Sequence, residues 1–350
     1  MKKLIAILSL ALSLCLLAGC MGTPVVYYCD CPTDGQVDNT PNTDNNNESL
    51  PEGALKTGLA VVANAKDSTD GEAKYDVTLV AVLVDDNGVI RSCIIDSIGT
   101  SVKFDTAGVI TSDLSAAVLT KNELGDNYNM KAYGGAKYEW YEQAAALANY
   151  AVGKTVDELK NGAVGADGKA VDVDLASIAT IYLGGYVSAI EKAVANAQHL
   201  GAKSGDVLKF ASISSIASSA SAGEKDGTAQ LDVDATAITM NGDVITSCYI
   251  DSLQAKVTFS ATGTITSDVS AAFATKNELG ENYGMKAWGG AKYEWNEQAA
   301  SFASYVTGKT AAEVAGIAVN EKTAPTDADL SATVTIAVGG FQALIAKAAQ

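Results

Sequence analysis

The residues best able to carry chemistry fall into three groups, and each group occurs twice. Tyr128, Met130, Tyr133, Gly134-Gly135, Tyr138 and Trp140 bring aromatic rings, a thioether and a double glycine into one short stretch; Tyr283, Met285, Trp288, Gly289-Gly290, Tyr293 and Trp295 repeat the set. Aromatic residues are only 7% of the chain, so the crowding is local. A double glycine lets backbone approach a flat ligand, and the flanking rings offer it faces, which fits a planar aromatic cofactor. Trp140 and Trp295 are equally suited to anchoring a core helix. The second group sets a threonine six residues after an aspartate, Asp174-Leu-Ala-Ser-Ile-Ala-Thr180 and Asp329-Leu-Ser-Ala-Thr-Val-Thr335. The third is carboxylates: Glu139 with Glu142, and Glu294 with Glu297. They stand three apart on an expected helix, where the ordinary reading is a solvated face.

What is missing narrows the chemistry further. His199 is the only histidine, so a histidine base or a histidine-built metal site is not expected. No phosphate-binding P-loop, zinc spacing or dinucleotide-binding glycine loop occurs in a supporting context. The formal charge of −17 argues against nucleic acid or bare anionic lipid as a partner.

The twofold occurrence has a simple origin. Thr120 to Gln143 and Thr275 to Gln298 are identical at 20 of 24 positions, at an offset of 155 residues. The offset holds from Cys93/Cys248 to Gly185/Gly340. The chain therefore reads as two homologous tandem domains, 55–200 and 201–350, each of ordinary size for one core.

The elements that must position these groups recur in both halves. Tyr75 to Val84 alternates as a strand does, Asp86-Asn87-Gly88 is a hairpin signal, and Val89 to Ser97 continues as the returning strand. Leu231 to Met240 and Val244 to Ser252 repeat them with a turn one residue shorter, so each domain is expected to open with a hairpin. Thr120, Thr155, Thr275 and Thr310 each precede a glutamate by three residues, the capping-box spacing, and should start short helices. Lys137 to Val152 carries Trp140, Ala144, Leu147 and Ala151 on one face and stops at Gly153; Lys292 to Thr307 does the same before Gly308. Amphipathic helices close the halves at about Gly185 to Ala197 and Gly340 to Ala349. Strands followed by helices predict an α+β fold, an antiparallel sheet with packed helices in each half. Cys93 and Cys248 lie on apolar strands and read as small buried hydrophobes, and Cys29-Asp30-Cys31 is too close for a good disulfide.

The beginning of the chain carries a location signal. Lys2 and Lys3 precede an apolar run from Leu4 to Leu17 that is too short for a comfortable span, and Leu17-Ala18-Gly19-Cys20 closes it. This pattern resembles the bacterial lipobox, which implies a signal peptide at 1–19, a diacylated Cys20, and a protein anchored by lipid on the extracellular face of the cell membrane. Removing the two lysines takes the formal charge from −17 to −19. Residues 32–54, rich in Asn, Asp, Thr and Pro, cannot bury enough to offset the entropy of ordering, so 20–54 reads as a lipidated cysteine and flexible tether.

The Asp-to-Thr segments resemble the site at which flavin transferases attach FMN to a threonine through a phosphoester, as in FMN-binding domains of electron-transport subunits. Ile178 and Thr333 replace the usual Gly or Ser, and Val334 the usual Ala. A rival frame, Asp327 to Thr333, matches a Ser-Ala-Thr ending, but Ile178 stands opposite Thr333, so the repeat favours Thr180 and Thr335. The signal, the tether and two copies of TKxELGxxYxMK and KYEWxEQA, with VGKT in the first half and TGKT in the second, resemble the duplicated FMN-binding surface lipoproteins of Gram-positive extracellular electron transfer, the pheromone-lipoprotein type. The resemblance implies two covalent FMN groups, on Thr180 and Thr335. Asp174 and Asp329 would belong to the attachment motif, with Tyr133, Trp288, Met130, Met285, Gly134, Gly135, Gly289 and Gly290 around the flavins. It implies an FMN transferase as partner, electrons from a membrane NADH dehydrogenase or quinone pool, and extracellular acceptors such as ferric iron. The competing class is a non-redox lipoprotein that holds a sugar or peptide through the aromatic and Gly-Gly region.

Overall fold

Strand β2 (Glu72–Val84) sorts its apolar side chains onto two faces: Tyr75, Val77, Leu79, Ala81 and Leu83 point one way, Val80, Val82 and Val84 the other. A strand buried on both faces is apolar on both, so the alternation expected of Tyr75 to Val84 stops partway: every residue from Leu79 to Val84 is buried. The computed structural model describes residues 53–350. The expected signal peptide at 1–19, Cys20, Cys29, Cys31 and the tether up to residue 52 lie outside the described residues. Gly53 and Ala54, assigned to the tether from sequence, are held instead. The Gly53 carbonyl accepts from Ser204 N at 2.7 Å, and Ala54 pairs with Lys203.

The molecule is α+β. In the first half β1 (Lys56–Asn64), β2 and β3 (Ile90–Lys103) form an antiparallel sheet of order β1-β2-β3. Six helices follow: α1 (Lys121–Leu124), α2 (Met130–Gly134), α3 (Trp140–Ala151), α4 (Val156–Ala163), α5 (Val173–Ile178) and α6 (Gly184–Ala195). The second half has β4 (Val207–Ser215), β5 (Gly227–Asn241) and β6 (Val244–Phe259) in a sheet of order β4-β5-β6, then α7 (Lys276–Leu279), α8 (Trp295–Val306), α9 (Ala311–Ala315), α10 (Ala328–Ser331) and α11 (Gly339–Ala348). The halves differ locally. Residues 285–289, opposite α2, form turns rather than a helix.

Each half was expected to open with a hairpin; it opens instead with a further strand, β1 or β4, paired along its whole length to the hairpin's first strand. Those strands carry Gly58 and Ser-rich FASISS, which weakened the strand signal. The hairpin between β2 and β3 is set by Asp85, whose carboxylate accepts from Asn87 N and Val89 N, both at 2.9 Å, while Gly88 takes φ +78°. The four capping boxes at Thr120, Thr155, Thr275 and Thr310 all form. Gly153 and Gly308 end α3 and α8 at φ +83° and +86°.

The two sheets face each other. Leu59, Val61, Tyr75, Val77 and Leu79 from the first meet Leu231, Val233, Leu253, Val257 and Phe259 from the second in one apolar cluster. The opposite faces are covered by the helices of their own half, α3 to α6 over one sheet, α8 and α11 over the other. The result is four layers, helix, sheet, sheet, helix. Contacts across the middle are reciprocal under the 155-residue offset. Lys192 pairs with Glu278 at 2.5 Å, and Lys347 with Glu123; Phe104 stacks on Phe259, its own counterpart, with centroids 3.8 Å apart and planes 6° from parallel.

Candidate functional site

Helix α3 begins at a glutamate that donates through its backbone and accepts through its side chain. Glu139 is its N-cap, and the Glu142 carboxylate returns to Glu139 N at 2.7 Å, which moves the start from the expected Lys137 to Trp140. The solvated-face reading of this carboxylate is wrong. Glu139 is 2% exposed, and its two oxygens accept from Met130 N at 2.8 Å and Lys131 N at 3.0 Å, fixing the first turn of α2. Glu294 does the same for Met285 N and Lys286 N at 2.8 and 3.0 Å, also from a 2% exposed position. Glu142 and Glu297 stay at the surface, each beside a lysine, Lys131 or Lys286.

One helical turn further, on the same face of α3, lies Gln143. Its side chain is fully buried. The amide nitrogen donates to Tyr138 O at 2.9 Å, and Oε1 accepts from Thr180 N at 2.8 Å, Thr180 Oγ1 at 3.2 Å and Ile181 N at 3.1 Å. Gln298 makes the matching contacts with Tyr293 O, Thr335 N, Thr335 Oγ1 and Ile336 N, at 3.0, 2.8, 3.1 and 3.2 Å. A glutamate and a glutamine four residues apart thus draw two distant loops, the Tyr133 loop and the Thr180 loop, to the start of one helix. The signal lay in the repeated EWxEQ, but a glutamine in an amphipathic helix reads as polar surface.

Thr180 and Thr335 are exposed side chains on a clamped backbone. Thr333 differs: it is half-buried, and its hydroxyl turns back to Leu330 O at 3.4 Å. Asp174 and Asp329 are exposed in the first turns of α5 and α10, and it is Asp172 and Asp327 that cap those helices. The hydrogen bonds that order the threonine loops run through the glutamines.

Tyr133 is 89% exposed and Trp288 82%, each followed by the double glycine. Gly135 and Gly290 take φ +65°, with open space where a Cβ would stand. Met130 and Met285 lie half-buried beneath. Trp140 and Trp295 are core anchors, as the alternative reading had it: Trp140 Nε1 donates to Tyr186 Oη at 3.0 Å, and Trp295 meets Phe341 edge-on at 5.9 Å. Behind the site, burial pushes the carboxyls of Asp96 and Asp251 up to about 6, against the hydrogen bonds that they accept from Ser97 N and Asn122 N, and from Ser252 N and Asn277 N. Cys93 and Cys248 are free thiols pushed up to about 12 by burial; Cys248 is the buried small hydrophobe expected, whereas Cys93 is half-buried. Among the described residues no cluster of His, Cys, Asp or Glu could hold a metal ion, and no helix is long and apolar enough to cross a membrane.

The arrangement offers no free acid-base pair at the threonines, since Glu139 is engaged with backbone amides. What it offers is presentation: an exposed hydroxyl on an ordered loop, and an exposed ring followed by bare glycine backbone, both segments held from the start of one helix. These residues fit a flat group tethered through threonine oxygen. No protein-family model, curated protein or solved structure matches the chain.

Proposed function

We propose that the protein is a lipid-anchored extracellular flavoprotein of two homologous domains, carrying FMN esterified to Thr180 and Thr335. In this reading it passes electrons from a membrane NADH dehydrogenase or quinone pool to acceptors such as ferric iron. The observation that carries the reading is the shared environment of the two threonines, each exposed and each held by a buried glutamine through hydroxyl and backbone alike. FMN, when bound, supplies one- and two-electron redox chemistry.

The chain's own residues do the positioning. Esterification of Oγ1 removes one donor to Gln143, but Thr180 N and Ile181 N remain, so the loop stays ordered. Tyr133 and Trp288 each offer a free face for stacking, and the glycines admit close approach without a side chain in the way. A separate FMN transferase activates the phosphate, so the acceptor threonine needs no neighbouring base.

Protein made together with an FMN transferase should carry two flavin masses that survive denaturation, and one in Thr335→Ala or Thr180→Ala. Retention of two adducts in Thr335→Ala, or loss of one in Thr333→Ala alone, overturns the assignment. Colourless protein from such cells overturns the flavin reading altogether.

A further inference from the structure

The segment that joins the halves, 196–206, covers a cavity of about 600 Å³ on the second half, at the open edge of β6 and against α8. Its floor is one face of α8 and the residue after it, with Asn296, Ala300, Ala303, Ser304 and Thr307 spaced as successive turns; Tyr249, Asn277, the joining residues Gln198 and His199, and the apolar Leu200, Cys248 and Ile250 complete it. The first half has no such lining at the positions 155 residues earlier. Ile94 stands opposite Tyr249, Tyr141 opposite Asn296, Asn149 opposite Ser304 and Val152 opposite Thr307. Tyr141 sends its hydroxyl to Asp126, whereas the Asn296 Oδ1 is buried without a hydrogen-bond partner.

We propose that this cavity binds an uncharged saccharide of one or two rings. In a chain of net charge −17 it is lined by carboxamides, hydroxyls, a phenol and an imidazole beside apolar Leu200, Cys248 and Ile250, with no carboxylate or ammonium among the lining side chains, so an anionic ligand would find no counter-charge. Carboxamides and hydroxyls pair with groups that both donate and accept, which describes a sugar's hydroxyls. Ala300 and Ala303 leave a flat apolar strip for the C–H face of a ring. His199 Nε2 is engaged with Asp86 at 2.9 Å, which leaves the other ring nitrogen for the rim. The site is independent of the flavin reading.

The test is titration of the full chain with glucose, N-acetylglucosamine and cellobiose, followed calorimetrically. At least one should bind saturably with a Kd of about 1 mM or tighter. Asn296→Tyr, which installs the first half's residue, and Tyr249→Phe should each weaken it about tenfold, while Thr180→Ala and Thr335→Ala leave it unchanged; should Asn296→Tyr misfold by circular dichroism, Tyr249→Phe decides. Absence of saturation with all three sugars, saturation that both cavity variants leave intact, or tight binding of riboflavin in place of any sugar overturns the proposal.

Discussion

Gln143 has no freedom left to it. Its carbonyl oxygen takes three donors and its amide nitrogen one acceptor, all buried or half-buried, so Gln143→Ala leaves four groups without partners besides opening a cavity. The expected cost is about 2–4 kcal/mol, read as a lower urea midpoint. Gln143→Glu keeps the acceptor and loses the donor to Tyr138 O, and should fall between. Tyr133→Ala and Trp288→Ala are the opposite case. Both rings stand in solvent, so stability should change by less than about 0.5 kcal/mol; in flavin-loaded protein the same substitutions should alter flavin fluorescence. An unchanged flavin spectrum with a lowered melting temperature would return these rings to a packing role.

Among the elements, Asp96 and Asp251 tie the sheets to the helices that follow and give the fold an unusual pH response. Both carboxyls are held up at about 6 in the folded state against an ordinary 3.8, so the folded protein binds protons more tightly than the unfolded chain. Stability from these groups is greatest at low pH and is lost as pH rises from about 4 through 6. The urea midpoint should therefore rise between about pH 7 and pH 5, by about 1 kcal/mol per aspartate, and Asp96→Asn with Asp251→Asn should flatten that slope. A slope unaltered in the double variant counts against the buried-carboxyl account. The capping boxes at this scale were legible because a Thr-x-x-Glu spacing is a local code, and so were the helix stops at Gly153 and Gly308. Strands β1 and β4 were not: a short strand with small residues owes its existence to the neighbour it pairs with. The role of Glu139 was hidden for a similar reason, since the amides that it satisfies belong to the first turn of α2, eight or nine residues earlier.

At the scale of the molecule, the central apolar layer belongs to neither half. Leu59 and Tyr75 need Leu253 and Phe259 as much as their own strands, and Tyr75 Oη donates to Ala229 O across the layer at 2.8 Å. Two halves that share a core should unfold together. Calorimetry should show a single transition, and Phe104→Ala, which removes one ring of the central stack, should lower it by about 3–5 kcal/mol without splitting it in two. A fragment spanning 53–203 should aggregate or self-associate through its bare sheet, and a monomeric, stably folded fragment would contradict this. The sandwich was not legible beforehand, because apolar residues on both faces of a strand do not say whether helices or a second sheet will cover them.

The joining segment between α6 and β4 has a consequence of its own. Reciprocal ion pairs and a self-paired aromatic stack are what two separate chains would make in a symmetric dimer, and such a dimer comes apart on dilution. Here the partner is covalently attached, at an effective concentration of roughly millimolar, so the pairing is indifferent to how sparsely the protein is distributed. Nor does either half have to be identical to the other. That freedom is visible where Tyr249 and Asn296 replace Ile94 and Tyr141, an asymmetry that two copies of one shorter chain could not hold.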